Sequence, residues 1–246
     1  MRKNGRKSDE LREINIIKNF VSHPEGSVLI EFGNTKVICN ATIEDKVPNF
    51  LKGHHSGWVT AEYGMIPRST NDRMRRESKT RQSGRTMEIQ RLIGRSLRSS
   101  VNLEKLGERT VTVDCDVIQA DGGTRTASIT GGFVALCLAL RTQDDSDFCS
   151  SDIIQSYTGS VSIGKVDGKI LLDLDYEEDS NAETDMNFIM NENEEFIEIQ
   201  GTAEKGSFSK KELDSMLSLA SSGIKEIIKI QKEALNNYGL NFVGLK

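Results

Sequence analysis

Residues 127–141, with the sequence ASITGGFVALCLALR, constrain the fold more than any other stretch of the chain. In a helix this stretch is apolar on nearly every side, and such a helix is stable when it is buried. Its longest apolar run, residues 133–140, is far shorter than the ~20 residues that span a membrane. The sequence therefore predicts a helix buried in the core of a globular protein.

The segments around this helix show the period-two alternation of strands with one buried face. In residues 110–118, valines point to one side while Asp114 and Asp116 point to the other. A Gly-Asn pair at residues 33–34 is typical of a hairpin turn between two strands. Further strands are predicted at residues 27–32, 36–43, 58–62, 157–163, 170–175, 186–190 and 196–200.

Helical periodicity appears at two further places. Residues 87–101 carry an apolar face opposite an arginine face that includes Arg98. Ser209 and Glu212 have the spacing of a capping box at the start of a last helix, in which Gly223 is a candidate for a break or a kink. This order of elements indicates an α+β fold, with mixed sheets packed with helices.

Composition and cysteine usage limit the class of protein. The four cysteines form no CxxC pair, which disfavours a zinc ribbon. Cys39, Cys115 and Cys137 lie in apolar or strand-like segments, as is typical of reduced core thiols. The N-terminal residues lack the apolar stretch of a secretory signal. We expect a cytoplasmic protein with one domain over residues 1–246, in two halves that meet near the acidic linker 143–151.

Charge is unevenly distributed although the net charge is only −5. Residues 66–98 contain ten Arg or Lys and three acidic residues, whereas residues 144–185 contain twelve acidic residues and two lysines. Such asymmetry favours a track for a polyanion beside an acidic site. Solvated surface or subunit contacts are the alternative, and charge alone does not decide between them.

The hexapeptide DGGTRT, residues 121–126, lies between a predicted strand and the buried helix. Two glycines let the backbone turn tightly, and the following helix offers free N–H groups and a positive dipole end. Thr124 adds a hydroxyl, and Arg125 adds a planar fork that matches phosphate oxygens. These features describe an oxyanion site, although an ordinary glycine turn with a helix cap has the same pattern.

Two other candidates for chemistry are Arg85 and the acidic run LLDLDYEEDSNAETD. Arg85 would close on the same anion or lie on the surface. The run carries seven carboxylates between Asp173 and Asp185, and such hard oxygen ligands suit Mg²⁺ or Mn²⁺. Asp179 and Asp185 are the obvious pair, but spacing alone does not exclude a solvated acidic loop.

Over essentially its full length the chain resembles the ribonuclease PH family, bacterial exoribonucleases that use phosphate. The matching segments follow the family order: GRKSDELR, EGSVLIEFGNTKVIC, GWVTAEYGMIPRST, GRTMEIQRLIGRSLR, DCDVIQADGGTRTASITGG, DLDYEEDSNAETDMNFIM and IEIQGTAEKGSFSKKEL. The resemblance implies the ribonuclease PH-like α+β fold, related to a ribosomal protein domain. It also implies a homohexameric ring, a trimer of dimers.

The implied activity is that of a phosphate-dependent tRNA nucleotidyltransferase. Inorganic phosphate would remove the 3′-terminal nucleotide of precursor tRNA and other RNA, and a nucleoside diphosphate would leave; the reverse addition is also expected. The family's phosphate contacts match Arg85, Gly123, Thr124 and Arg125. Its catalytic aspartates match Asp179 and Asp185, which would hold Mg²⁺ or Mn²⁺, and Asp185 would also accept a proton from the phosphate.

Six arginines fall where the family handles RNA or builds its ring: Arg2, Arg6, Arg68, Arg73, Arg75 and Arg76. The chain departs from its relatives at Lys205, at the histidine pair 54–55 and in the acidic linker. We expect these departures to lie away from the site. Two other classes remain: a ring subunit that binds RNA without catalysis, and a small nucleotide-binding metabolic enzyme, which would leave the basic segment unexplained.

Overall fold

Two β-sheets pack against the predicted buried helix in the computed structural model, which describes residues 2–77, 82–144 and 149–236. The first sheet has the strand order β1-β2-β3-β5-β4, with β4 and β5 parallel and the other neighbours antiparallel. Its strands are β1 (Ile14–Lys18), β2 (Gly26–Phe32), β3 (Thr35–Glu44), β4 (Trp58–Met65) and β5 (Thr110–Gln119).

The second sheet is antiparallel throughout and has the order β7-β6-β8-β9. Its strands are β6 (Thr158–Val166), β7 (Lys169–Leu172), β8 (Thr184–Asn191) and β9 (Phe196–Ala203). The helices are α1 (Gly84–Arg98), α2 (Leu103–Leu106), α3 (Thr124–Arg141), α4 (Ser150–Ile153), α5 (Tyr176–Asn181) and α6 (Lys210–Asn236).

Helix α3 is the predicted buried helix. It packs against β2, β3 and β5 of the first sheet, β6 of the second, and helices α1 and α6. Every side chain from residue 126 to residue 140 is buried, which explains why this segment has no polar face. The same packing fixes the start of α3, at Thr124, between the two sheets.

Most predicted elements form, with changes at their ends. Phe32 pairs with Thr35 across the predicted turn at residues 33–34. Helix α1 begins at Gly84 and ends at Arg98, earlier at both ends than the predicted 87–101. Arg98 is not on a solvent face: its guanidinium lies 4.2 Å from the centre of the Trp58 ring, a cation–π contact.

Two expectations about helices and strands are wrong. Helix α6 continues through Gly223 without a break, because the missing side chain there makes room for Leu172, 2.8 Å from where a Cβ would stand. The strand expected at residues 170–175 ends at Leu172. Strand β1 and the short helices α2, α4 and α5 were not predicted.

One hydrophobic core extends through both sheets, from Val28 in β2 to Ile227 in α6. Part of the linker 143–151 lies outside the described residues, so the organisation into two halves of one domain stays a prediction. None of the described helices is both long enough and apolar enough to cross a membrane.

Candidate active site

A pocket of about 880 Å³ opens where the start of α3 meets α5, β8 and residues 67–83, the basic loop before α1. This volume lies within the range of small-molecule sites. The pocket collects all six residues that the resemblance assigns to phosphate, catalysis or metal: Arg85, Gly123, Thr124, Arg125, Asp179 and Asp185.

The glycine pair of DGGTRT shapes the floor of this pocket. Gly122 and Gly123 have φ angles of +75° and +64°, which side-chain-bearing residues rarely adopt. A Cβ on Gly122 would stand 2.5 Å from the carbonyl oxygen of Leu174, so only glycine lets the turn touch the acidic segment. Gly123 caps α3 without a side-chain hydrogen bond, which leaves N–H groups of the first helical turn available to an anion.

A buried ion pair, which the sequence analysis did not single out, supports this turn. Asp173 is fully buried at a φ of +54° and accepts hydrogen bonds from Arg12 Nε at 3.0 Å and Arg12 Nη2 at 2.7 Å. Arg12 Nη1 donates to the carbonyl oxygen of Asp121 at 2.6 Å. The pair therefore ties the glycine turn to the segment that leads into α5.

Tyr63 lines the pocket and was not singled out by the sequence analysis. Its hydroxyl lies 2.8 Å from Thr124 Oγ1, and the pair is buried. Burial raises the pKa of Tyr63, which keeps the phenol neutral. Tyr63 lies in β4, parallel to and paired with β5, whose end leads into DGGTRT. The shared hydrogen bond fixes the Thr124 hydroxyl at the pocket floor.

Arg85 and Arg125 differ in their surroundings within the pocket. Arg125 Nη1 donates to Gln200 Oε1 at 2.9 Å and lies 3.3 Å from Glu88 Oε1. Arg85, in the first turn of α1, is exposed and has no hydrogen-bond or ion-pair partner within the described residues. One cation is thus held in place, and the other is available to a ligand.

Asp179 and Asp185 meet because a short helix turns the chain between them. Asp175 caps α5 in a capping box with Glu178, which corrects its predicted place on a strand. One turn later Asp179 lies in α5, and Asp185 follows in β8. The turn of α5 therefore brings Asp179 and Asp185 into the wall of the same pocket.

The pair has the electrostatics of a cation site. Burial, followed by the charge of Asp179, raises the pKa of Asp185 to about 6. Burial also raises the pKa of Asp179. A divalent cation would offset the repulsion between the two carboxylates. Two carboxylates, completed by water and substrate phosphates, are a common donor set for Mg²⁺. No cluster of three potential metal-ligating side chains occurs in the described part of the chain.

The N-terminal arginines proposed for RNA lie elsewhere. Arg2 is 9% exposed and donates to Glu178 and to the carbonyl oxygens of Leu172 and Asp173. Arg6 donates to the same Asp173 oxygen. Most of their donors bind groups inside the chain, and the Nε of Arg6 is buried without a partner, so their environment supports a structural role and not contact with RNA.

The basic loop keeps the exposure that an RNA contact needs. Arg68, Arg73, Arg75 and Arg76 are all exposed. Arg73 also lines the pocket. Residues 78–81 of this loop lie outside the described residues.

One expectation about the departures is wrong. Lys205, together with Glu204, lines the pocket. The β9 register explains this position: Thr202 pairs with Asp185, so the loop after β9 passes beside the acidic pair. Lys205 thus lies near the proposed chemistry.

The fold is α+β, and its pocket combines a helix N-terminus and arginines with a pair of carboxylates. Two family models define the class. Residues 10–141 match domain 1 of the 3′ exoribonuclease family, and residues 156–223 match domain 2. The chain therefore belongs to the 3′ exoribonuclease family. This result confirms the family and the fold that the sequence motifs predicted.

Individual relatives agree with this assignment. The chain is 58% identical to a protein named ribonuclease PH of Bacillus velezensis, over 96% of this chain and 97% of that protein. It is also 58% identical to ribonuclease PH of Bacillus subtilis, over 96% of this chain and 98% of that protein.

Two solved structures show the same fold at low sequence identity. Rice (Oryza sativa) Rrp46 matches with a TM-score of 0.76 and 16% identity, over 95% of this chain and all of that one. An Archaeoglobus fulgidus exosome with RNA bound to the active site matches with a TM-score of 0.75 and 22% identity, over 93% of this chain and 91% of that one.

Proposed function

We propose that this chain is a phosphorolytic 3′-5′ exoribonuclease, a tRNA nucleotidyltransferase that trims the 3′ end of precursor tRNA and other RNA with inorganic phosphate. One observation carries the proposal: an anion cradle and a carboxylate pair line the same pocket of a chain from the 3′ exoribonuclease family. Relatives named ribonuclease PH support the substrate class.

The attacking phosphate is held by the cradle at Gly123, Thr124 and Arg125, and Arg85 closes on its other side. An oxygen of this phosphate attacks the phosphorus of the last phosphodiester bond. The bond to the 3′ oxygen of the preceding nucleotide breaks, that oxygen takes up the proton that the attacking phosphate gives up, and the terminal nucleotide leaves as a nucleoside diphosphate. Positioning and charge stabilisation carry most of such a phosphoryl transfer.

Asp179 and Asp185 would hold Mg²⁺ or Mn²⁺, which supplies charge neutralisation at the scissile phosphate when it is bound. This role competes with the proton role expected for Asp185. A bound cation lowers the pKa of a carboxylate beside it, so Asp185 would be a weaker proton acceptor when the cation is bound. We therefore propose that both aspartates serve mainly as ligands and orient the reacting groups.

The RNA approaches along the exposed arginines of the basic loop, Arg68, Arg73, Arg75 and Arg76. These side chains bind the phosphate backbone without reading sequence, as is typical of salt-dependent nucleic-acid contacts. The assembly is a homohexamer, a trimer of dimers, located in the cytoplasm.

The test follows a labelled RNA on a gel with and without inorganic phosphate. Shortening that requires phosphate supports the proposal, and extension of RNA from nucleoside diphosphates would be the reverse reaction. A ring subunit without catalysis binds the RNA and leaves it intact. A metabolic enzyme does neither. Shortening that proceeds equally well without phosphate contradicts the proposal.

A further inference from the structure

We propose that Gln200 is a positioning residue of the phosphate site: its carboxamide holds the Arg125 guanidinium in the pocket. This inference rests on the proposed function, in which Arg125 binds the attacking phosphate. The contact that carries it is the hydrogen bond from Arg125 Nη1 to Gln200 Oε1 at 2.9 Å. Gln200 lies in β9 and Arg125 in α3, so the contact joins the second sheet to the anion cradle.

The orientation of the Gln200 amide follows from chemistry. Its Nε2 donates to Glu88 Oε1 at 3.0 Å and to Glu198 Oε1 at 3.1 Å. Ionised carboxylates only accept hydrogen bonds and a guanidinium only donates them. A flipped amide would face Arg125 with a donor and both carboxylates with an acceptor. The observed orientation is therefore the one that satisfies all partners.

The partners of Gln200 are themselves held. Arg95 of α1 forms a bidentate pair with Glu198: its Nε donates to Oε2 at 2.9 Å and its Nη2 donates to Oε1 at 2.7 Å. The hydrogen bond with Glu198 raises the pKa of Arg95. Glu88 belongs to the same helix. Gln200 thus stands at the centre of a network that joins α1, α3 and β9.

This network uses one end of the Arg125 fork and leaves the rest for a ligand. Within the described residues, Arg125 Nε and Nη2 have no hydrogen-bond partner, whereas Nη1 has two contacts. A bidentate grip on phosphate needs two donors in a fixed plane. Restraint at Nη1 therefore preorganises the remaining donors of the guanidinium.

The register of the second sheet extends this argument to the acidic pair. Gln200 pairs with Asn187, and Thr202 pairs with Asp185. Residues two apart in a strand share one face of the sheet. The same face therefore carries Gln200 on one strand and Asp185 on the next, which fixes the spacing between the phosphate grip and the proposed cation site.

A neutral side chain at position 200 suits phosphate binding better than a charged one. A carboxylate at position 200 would pair with Arg125 and cancel the charge that attracts phosphate. The amide accepts the same hydrogen bond without this cancellation. Glu88, the acidic neighbour of Arg125, is 44% exposed in its side chain, so solvent screens that ion pair.

The test compares Gln200→Met and Gln200→Glu with the wild type, and Gln155→Met is the matched control at an exposed glutamine. KM for phosphate and KM for RNA are measured separately. Gln200→Met should raise the phosphate KM about tenfold, the value of one hydrogen bond to a charged group. The RNA KM should stay unchanged. Gln200→Glu should raise the phosphate KM further, and the control should leave both constants unchanged.

Rescue provides a readout that general loosening of the fold would not produce. The double variant Glu88→Gln with Gln200→Glu again gives Arg125 one amide and one carboxylate. It should recover part of the phosphate affinity that Gln200→Glu alone loses, because the Glu88 charge is gone while the carboxylate at position 200 remains. A double variant no better than Gln200→Glu would overturn the charge argument.

Calorimetric titration of the RNA-free protein with inorganic phosphate separates two kinds of failure. Wild type that binds no phosphate, or binds it equally well after Arg125→Met, refutes the proposed function itself. If Arg125→Met abolishes phosphate binding but Gln200→Met does not weaken it, only the role of Gln200 is refuted. A parallel rise of the phosphate and RNA KM values in Gln200→Met would also refute that role.

Discussion

Replacement of Asp185 by asparagine is expected to stabilise the metal-free protein and to abolish turnover. Burial and the neighbouring Asp179 charge raise the pKa of Asp185 from 3.8 to about 6. The folded protein therefore binds the Asp185 proton more tightly than the unfolded chain does. Asparagine keeps the volume and removes the charge, so the variant avoids the penalty that ionised Asp185 imposes on the fold.

The sign and size follow from linkage. A group with a raised pKa contributes its full stability below the unfolded pKa and loses it as pH rises through the folded pKa. For Asp185 the loss spans the range from 3.8 to about 6. Each pKa unit corresponds to about 1.4 kcal/mol, and water at the pocket mouth reduces the whole effect to roughly 1–3 kcal/mol.

The assay is thermal unfolding in EDTA at constant protomer concentration, since association shifts apparent stability. At about pH 7.5 the variant should melt about 2–4 °C higher for each kcal/mol gained. The difference should shrink as pH falls and vanish below the unfolded pKa. Mg²⁺ should stabilise the wild type and not the variant, whose RNA shortening should be lost. A variant that melts below wild type at about pH 7.5 would refute this electrostatic account.

Other predictions concern five positions. Asp173→Asn should lower the free energy of unfolding by about 3 kcal/mol, because it leaves a buried arginine without its ionised partner; Asp175→Asn should cost less than ~0.5 kcal/mol in the same urea titration, because asparagine caps helices equally well. Arg125→Lys should raise the phosphate KM about tenfold, since lysine lacks the planar fork, and normal kinetics would argue against a bidentate grip. Tyr63→Phe should weaken phosphate binding, measured by calorimetry, about threefold, because the Thr124 hydroxyl loses the partner that fixes it. Unchanged binding would show that Tyr63 does not position Thr124. Lys205→Ala should raise the RNA KM about threefold at low salt and little at high salt; an effect that salt does not change would point to packing.

Periodicity and motifs predicted much of the fold because local patterns determined it. Helix α3 could be predicted from its sequence since burial on every side leaves a distinctive pattern. Its start could be predicted because glycine at positions 122–123 permits a turn that other residues resist. The capping box at Ser209 likewise marks the start of α6.

Other features depend on contacts between distant residues, and no local pattern reveals them. Gly223 has the local signal of a helix break, but packing against Leu172 overrides it. Asp173 is indistinguishable by sequence from its acidic neighbours. It is nevertheless the only carboxylate of the acidic run that is fully buried, and it pairs there with Arg12. The buried partners of Arg2 could not be predicted for the same reason, since nothing near it in the sequence indicates its contacts with Glu178 and Leu172.

The candidate site shows the same division. The motifs identified six of the residues that line the pocket. They did not identify Tyr63 or Gln200, which hold Thr124 and Arg125 from strands β4 and β9. A tyrosine in an alternating strand and a glutamine near a strand end carry no signal of a second partner. Lys205 was expected to lie away from the site, because only the β9 register brings its loop to the acidic pair.

The central claim is that inorganic phosphate is the attacking group. Radiolabelled inorganic phosphate, incubated with the protein, unlabelled RNA and Mg²⁺, tests it directly when the products are separated by thin-layer chromatography. The account predicts nucleoside diphosphates that carry the label in the terminal phosphate, and no release of nucleotides when phosphate is omitted. Unlabelled nucleoside monophosphates, formed at the same rate without phosphate, would show a hydrolase and contradict the account.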